Sequence, residues 1–115
     1  MLSSLVKQAA AILGNDYDIE IFEKHHNKKV DAPSGTAQIL ADSILEGKED
    51  GRCVYGREGQ TGARSSSEIG VHALRGGGIF GEHTVYFIGQ NERLELGQAA
   101  GRRSSIHLAP LFLRH

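Results

Sequence analysis

Two neighbouring segments carry the side chains best suited to proton transfer and anion binding. The first is the polar stretch 23–29, which includes His25, His26 and Lys29 and follows a run of alternating apolar and polar residues. Histidine exchanges protons near neutral pH, and Lys29 would share a face with His25 if the segment turned helically. The chemistry indicated is proton donation beside a fixed cation. The competing interpretation is a solvated run of charge, which composition alone favours.

The second segment is Ser34-Gly35-Thr36, which leads into a predicted helix. Hydroxyl and backbone N–H groups at a helix N-terminus can bind an anion, and Gly35 lets a ligand approach the backbone closely. Taken alone, an ordinary N-cap is the simpler interpretation. Taken together with the histidines and Lys29, the segment suits a small carboxylate substrate that undergoes protonation.

The remaining candidates for chemistry are weaker. His72, His83, His107 and His115 are scattered, and none forms a pair with the spacing of zinc ligands. Cys53 is the only cysteine, so neither a metal-binding cysteine cluster nor an intrachain disulfide is expected. We therefore predict no metal site, and a reducing cytoplasm is the simplest location for the chain.

Length and composition narrow the class of protein further. A chain of 115 residues fits one domain, and we treat 1–115 as a single unit. The 13 basic and 14 acidic residues give a net charge of −1, which excludes a polybasic nucleic-acid binder. No apolar run reaches the roughly 18 residues that a membrane span needs. The apolar content of 39% is modest and suggests that partners contribute to burial.

The elements that position the two segments follow from hydrophobic spacing. Apolar residues at helical spacing predict a helix over 2–13 and another from the Ser34 or Thr36 cap to Gly47. Alternation predicts strands over 17–22, 54–55, 69–74, 82–88 and 93–98, with residues 76–78 as a hairpin connection. The sum is an α+β fold, with a mixed, largely meandering sheet of about four strands and helices packed on one face.

These residues also resemble a known family. Residues 23–37, EKHHNKKVDAPSGTA, are similar to the E-x-H-H-x-x-K-x-D-A-P-S-G-T-A signature of 4-hydroxy-tetrahydrodipicolinate reductase, also called dihydrodipicolinate reductase. Residues 56–62, GREGQTG, resemble the G-R-x-G-x-T-G loop of the same family. Further matches at 69–70, 75–77, 81–84 and 92–96 extend the resemblance from about residue 5 to about residue 103.

The resemblance implies an oxidoreductase of diaminopimelate and lysine biosynthesis. In that family a hydride passes from NADH or NADPH to a cyclic, unsaturated dicarboxylate, which gives tetrahydrodipicolinate. By resemblance, His25 would be the general acid that protonates the ring, and Lys29 would assist the delivery of the proton. Four residues would hold the substrate carboxylates: His26, Ser34, Gly35 and Thr36.

The sequence also departs from the family. A complete member begins with a Rossmann domain, yet no strand here is followed by G-x-G-x-x-G and a helix. Residues 106–110 also break the pattern of the family's terminal helix, because Pro110 is poorly compatible with a helix interior. We therefore expect the substrate-binding and tetramerisation domain alone, assembled as a homotetramer, with no cofactor-binding residues and no activity in isolation. The alternative is a non-catalytic fragment that keeps the fold as an oligomerisation or dicarboxylate-binding module.

Overall fold

The computed structural model describes residues 1–100 and 105–109, and from residue 100 onward it describes the backbone alone. These residues form two helices and six strands, with one 3-10 turn at Gly14–Asp16. The helices are α1 (Leu2–Leu13) and α2 (Gly35–Gly47). The strands are β1 (Asp18–His25), β2 (Arg52–Val54), β3 (Glu68–Arg75), β4 (Gly81–Ile88), β5 (Arg93–Ala100) and β6 (Ser105–Ala109).

All six strands form one mixed sheet in the order β2-β3-β1-β4-β5-β6. Strand β1 is parallel to β3 and antiparallel to β4, and β4, β5 and β6 form an antiparallel meander. The predicted α+β class and mixed sheet are confirmed, but the strand count of about four was too low. The short β2 overlaps the strand predicted at 54–55, whereas β6 was not predicted.

One connection differs from its prediction. Residues 76–78 do not close a hairpin, because β1 lies between β3 and β4. The connection instead crosses the end of β1, where the N–H of Gly76 donates to the His25 carbonyl at 3.0 Å. The N–H of Asn27 donates in turn to the Gly77 carbonyl at 3.1 Å. The chain that follows β1 is therefore tied to the turn between β3 and β4.

Both helices pack on the same face of the sheet, as predicted. Alternate residues of β1 point toward them, so Ile19 and Ile21 are fully buried, and Ile21 pairs with Val71 of β3 and Val85 of β4. The two helices approach closely at Gly47, where an added Cβ would lie 2.6 Å from the Lys7 carbonyl oxygen. The described helices include none long and apolar enough to cross a membrane.

The loop between β2 and β3, residues 55–67, folds back over the opposite face. Glu20 points to that face from β1 and accepts hydrogen bonds from Arg57, Arg64 and His72 at 2.6–3.0 Å. Burial opposes ionisation of Glu20, but these hydrogen bonds outweigh it and lower its pKa to about 2. The loop is thus held to the sheet by charge-assisted bonds.

Candidate functional site

Three strand ends meet on the helix-facing side of the sheet. His25 is the last residue of β1 and lies opposite Arg75, the last residue of β3. Gly81, the first residue of β4, is close enough that an added Cβ would lie 3.2 Å from His25 Nε2. The loop that joins β1 to α2 leaves the sheet at this corner. The predicted site residues between 25 and 36 therefore lie on, or at the ends of, this one loop.

A buried carboxylate anchors His25. Glu23 is 0% exposed, and its Oε2 atom accepts a very short hydrogen bond from His25 Nδ1. Its Oε1 atom accepts a hydrogen bond from the guanidinium of Arg75 at 2.7 Å. Burial raises the pKa of Glu23, but the hydrogen bonds and charges of Arg75 and His25 outweigh it, and the pKa is lowered overall. Glu23 is therefore an ionised acceptor with both oxygens engaged.

His83 joins His25 to the start of α2. The two imidazole rings pack edge to face with their centroids 5.2 Å apart. His83 Nε2 lies 3.0 Å from Ser34 Oγ, which also accepts a hydrogen bond from the Ala37 N–H at 3.1 Å and so caps α2. Burial and the neighbouring His25 lower the pKa of His83, with Lys29 adding to the effect and Glu23 opposing it. The neutral form of His83 is favoured.

Lys29 enters the same network from the other side. Its ammonium lies 2.9 Å from a carboxylate oxygen of Asp31, and this hydrogen bond and charge lower the pKa of Asp31. The Asp31 carbonyl oxygen in turn accepts a hydrogen bond from Arg75 at 2.9 Å. A continuous path therefore runs from Lys29 through Arg75 and Glu23 to His25, and onward through His83 to Ser34.

The other predicted binding residues lie beside this path. His26 Nδ1 accepts a hydrogen bond from the Lys28 N–H at 3.2 Å, a contact within the loop. Gly35 and Thr36 lie on the exposed first turn of α2, and a Cβ added at Gly35 would meet nothing within 4 Å. Ser34 is buried, and its hydroxyl is bonded to His83 Nε2 and the Ala37 N–H, so the side chain shapes the start of the helix.

Three members of the network were absent from the predicted site: Glu23, Arg75 and His83. Glu23 could have been found, because residues two apart in a strand point to the same face and Glu23 precedes His25 by two. Arg75 and His83 depend on strand pairing, since β3 and β4 flank β1 only in the folded chain. The spacing argument that set His83 aside as scattered missed this tertiary proximity.

Two kinds of cofactor are relevant to these residues, a metal ion and a dinucleotide. Ligand atoms of Glu23, His25 and His83 lie within 4.8 Å of one another, which is a possible metal-binding geometry. However, the Arg75 guanidinium at 2.7 Å from Glu23 already supplies the positive charge. The glycine-rich turns of the described chain, at 56–62 and 76–78, lead into strands and not into helices. They therefore do not fit a dinucleotide pyrophosphate, which needs a strand, a glycine loop and a helix in that order.

A separate apolar groove of about 270 Å³ borders the loop between β1 and α2. It is lined by Ala32, Pro33, Tyr55, Val71 and Ala73. Its walls carry no charged side chain in the described part of the chain, so a carboxylate would be better bound at the start of α2 than in this groove.

Comparison with known proteins gives a consistent result. The family described as dihydrodipicolinate reductase, C-terminus, matches residues 1–107. The 4-hydroxy-tetrahydrodipicolinate reductase of Desulfotalea psychrophila is 54% identical over 108 residues, which cover 90% of this chain and 39% of that protein. The corresponding enzyme of Methanosphaera stadtmanae is 50% identical over 106 residues, covering 88% of this chain and 38% of its own length.

A solved structure shares the fold. The dipicolinate-bound dihydrodipicolinate reductase from Paenisporosarcina sp. TG-14 superposes with a TM-score of 0.64 at 28% identity. The match covers 87% of this chain and 40% of that protein. The chain thus spans about two fifths of the length of the relatives it matches. On the strength of the match over residues 1–107, the chain belongs to the dihydrodipicolinate reductase family and corresponds to its C-terminal domain.

Proposed function

We propose that this chain is the substrate-binding half of a 4-hydroxy-tetrahydrodipicolinate reductase, an oxidoreductase of diaminopimelate and lysine biosynthesis. One observation carries the proposal: a continuous path of ion pairs, hydrogen bonds and one contact between the rings of His25 and His83 connects Lys29 to the cap of α2. That path brings a cation and a proton-exchanging ring to a helix N-terminus. A cyclic dicarboxylate that accepts a proton is the ligand such a corner suits.

The start of α2 supplies the anion site. A helix leaves its first N–H groups without partners inside the helix. Here the Ala37 N–H is capped by Ser34 Oγ, and the Gln38 N–H donates to the Ser34 carbonyl at 3.0 Å. In the described part of the chain this leaves the N–H groups of Gly35 and Thr36 for a carboxylate, aided by the helix dipole. His26 and the Thr36 hydroxyl would complete the contacts with the carboxylates.

His25 is the proton donor of the proposal. Its ring is only 12% exposed and is fixed by Glu23, so it can be aimed at one ligand atom. Lys29 would hold the ligand by charge and assist proton delivery, exchanging its ion pair with the exposed Asp31 for one with the ligand. Both residues match the family signature quoted above.

The reductant is proposed to be NADH or NADPH bound elsewhere. The glycine-rich turns of the described chain do not fit a pyrophosphate, so we place the nucleotide site in the part of the relatives that the match leaves out. We expect a homotetramer of cytoplasmic location. On the sheet face opposite the helices, Thr84, Tyr86 and Ile88 of β4 are partly or fully exposed and are available for association.

The second candidate is a non-catalytic module that keeps the fold for oligomerisation or dicarboxylate binding. The absence of a fitting pyrophosphate site among the described residues favours it for the chain by itself. The two candidates differ in whether reduction appears when a nucleotide-binding domain of a relative is joined to this chain. Reduction there supports the reductase, and binding without reduction supports the module.

The first experiment is a calorimetric titration of the chain with pyridine-2,6-dicarboxylate, a planar analogue of the ring. Saturable binding is expected, and the double variant His26→Ala/Thr36→Ala should lose it. Thr61→Ala is the matched control, because Thr61 is exposed in the 55–67 loop and bonds only locally to the Gly62 carbonyl. Equal binding by the native chain and the double variant, or no binding by either, would contradict the proposed site.

A further inference from the structure

We infer that Glu23 is a positioning residue: it holds the His25 ring with the proton on Nδ1, so that Nε2 is the nitrogen that exchanges protons. Glu23 belongs to none of the site residues identified from the sequence. The inference deepens the proposed function, since the value of a fixed ring depends on His25 being the proton donor. The position of the proton on the His25 ring can be tested without any ligand.

Glu23 can act only as a hydrogen-bond acceptor toward His25. A carboxylate that has lost its proton can only accept hydrogen bonds. Its Oε1 atom already accepts from Arg75, and its Oε2 atom contacts His25 Nδ1. The hydrogen in the second contact must therefore belong to His25. The bond made by one imidazole nitrogen decides which nitrogen carries the proton in the neutral ring.

Arg75 fixes the other oxygen of the Glu23 carboxylate. Its guanidinium has donors only, so it fixes Oε1 as an acceptor and keeps the carboxylate ionised in a site where Glu23 is fully buried. Arg75 is held in turn by the Asp31 carbonyl oxygen, to which it donates at 2.9 Å. Arg75 and Asp31 thus set the orientation of the Glu23 carboxylate independently of His25.

The second ring nitrogen of His25, Nε2, faces Gly81. His25 Nε2 lies beside Gly81, where an added Cβ would stand at 3.2 Å, tighter than an ordinary contact. The lack of a side chain at Gly81 leaves room next to Nε2. The edge of the neighbouring His83 ring, engaged with Ser34, limits rotation of His25 on its other flank. The ring is therefore held at Nδ1 and open at Nε2.

The test is nitrogen-15 NMR of the histidine side chains in the purified chain, recorded at a pH at which the rings are neutral. The expected result is that neutral His25 carries its proton on Nδ1, with Nε2 unprotonated. This tautomer is the less common one for an unconstrained histidine in water, so its presence is informative. A neutral His25 with its proton on Nε2 in the native chain would overturn the inference without any variant being made.

Two variants sharpen the test. In Glu23→Gln the amide oxygen must face Arg75, which leaves the amide NH₂ to donate to His25 Nδ1. The proton of neutral His25 is then expected to move to Nε2. In Glu23→Asp a carboxylate remains, and the Nδ1–H form should be retained. Glu49→Gln, an exposed residue beyond α2, is the control that should leave the ring unchanged.

A dispersed amide spectrum identifies variants that fold, and an unchanged tautomer in folded Glu23→Gln would contradict the role assigned to Glu23. The result is separable from that of the proposed function, which the dicarboxylate titration tests. An Nδ1–H ring in a chain that binds no dicarboxylate supports the positioning and counts against the substrate site. A chain that binds the dicarboxylate but whose neutral His25 carries its proton on Nε2 supports the substrate site and counts against the positioning by Glu23.

Discussion

The rings of His25 and His83 meet edge to face with their centroids 5.2 Å apart, although 57 residues lie between them in the sequence, as the numbering shows. The contact arises because β4 lies next to β1 in antiparallel register, which sets Glu23 opposite His83. His83 then reaches Ser34 at 3.0 Å. Ser34, which caps α2, is thereby connected through His83 to His25, the proposed proton donor. A substitution at Ser34 or at His25 should therefore alter the surroundings of the other residue.

The cap at Ser34 gives the first prediction. Ser34→Ala removes the acceptor for the Ala37 N–H and leaves buried His83 without its partner. Loss of an N-cap costs about 0.5–2 kcal/mol, and the stranded imidazole adds to it. We expect the free energy of unfolding in urea to fall by about 1–3 kcal/mol. Ser66→Ala in the 55–67 loop is the control, because Ser66 is exposed, and should change the free energy of unfolding little. Equal effects of the two substitutions would show that the Ser34 hydroxyl does not stabilise the fold.

Much of this arrangement could be predicted from the sequence because the signals are local. Helix α1 ends at Leu13 as its apolar spacing predicts, and the N-cap at Ser34 was one of two positions proposed. The predicted His25, Lys29 and Ser34 are brought together because a short loop joins β1 to α2. Local periodicity and capping chemistry are enough for features of this kind.

The rest depended on strand pairing that no local pattern encodes. The hairpin expected at 76–78 failed because β1, which comes much earlier in the chain, occupies the position between β3 and β4. The same pairing places Arg75 beside His25 and Glu23 beside His83. Ionic partners of the site could therefore not be assigned before the strand order was known. The expectation at Pro110 lies outside the described residues.

The buried pair of Arg75 and Glu23 gives a second prediction. Arg75→Met leaves the fully buried Glu23 carboxylate with only the His25 ring as a partner, and breaking a buried ion pair in this way typically costs about 3–5 kcal/mol. The pKa of Glu23 should rise, because the hydrogen bond and charge of Arg75 that lower it are lost. Unfolding in urea measures the loss, and Arg52→Met, whose guanidinium is exposed and 3.7 Å from Glu68, is the control.

A double-mutant cycle isolates the interaction of that pair. Adding Glu23→Gln to Arg75→Met removes the stranded charge, so the double variant should be more stable than Arg75→Met alone. An interaction free energy near zero would mean that the two side chains do not stabilise the fold through each other.

Gly70 gives a third prediction on the opposite face of the sheet. An added Cβ there would overlap the carboxylate of Glu20, and the Gly70 N–H also donates to that carboxylate at 3.2 Å. Gly70→Ala should displace Glu20 from Arg57 and Arg64 and lower the free energy of unfolding by about 1–3 kcal/mol. Gly78→Ala is the matched control, since nothing lies within 4 Å of a Cβ there. Urea unfolding and proteolysis of the 55–67 loop give the two readouts; a loop that stays protected would contradict the anchoring role.

The lowered pKa of Glu20 gives the last prediction, a dependence of stability on pH. Burial alone would raise this pKa, but the hydrogen bonds from Arg57, His72 and Arg64 bring it from 4.5 to about 2. A group whose pKa is lower in the folded state contributes stability that is fully present above its unfolded pKa. That contribution is lost as the pH falls from about 4.5 towards about 2, because the unfolded chain takes up the proton first.

Between those limits the native chain should lose stability more steeply than Glu20→Gln, in which the titrating group is gone. The measurement is the urea midpoint at a series of pH values from neutral to acid, with Glu49→Gln as the control that should keep the native slope. The other carboxyl groups with lowered pKa values, Glu23, Asp31 and Glu68, remain in both chains, so the difference between the two curves reports Glu20. Parallel curves for the native chain and Glu20→Gln would show that the arginines of the 55–67 loop do not stabilise the fold through this carboxylate.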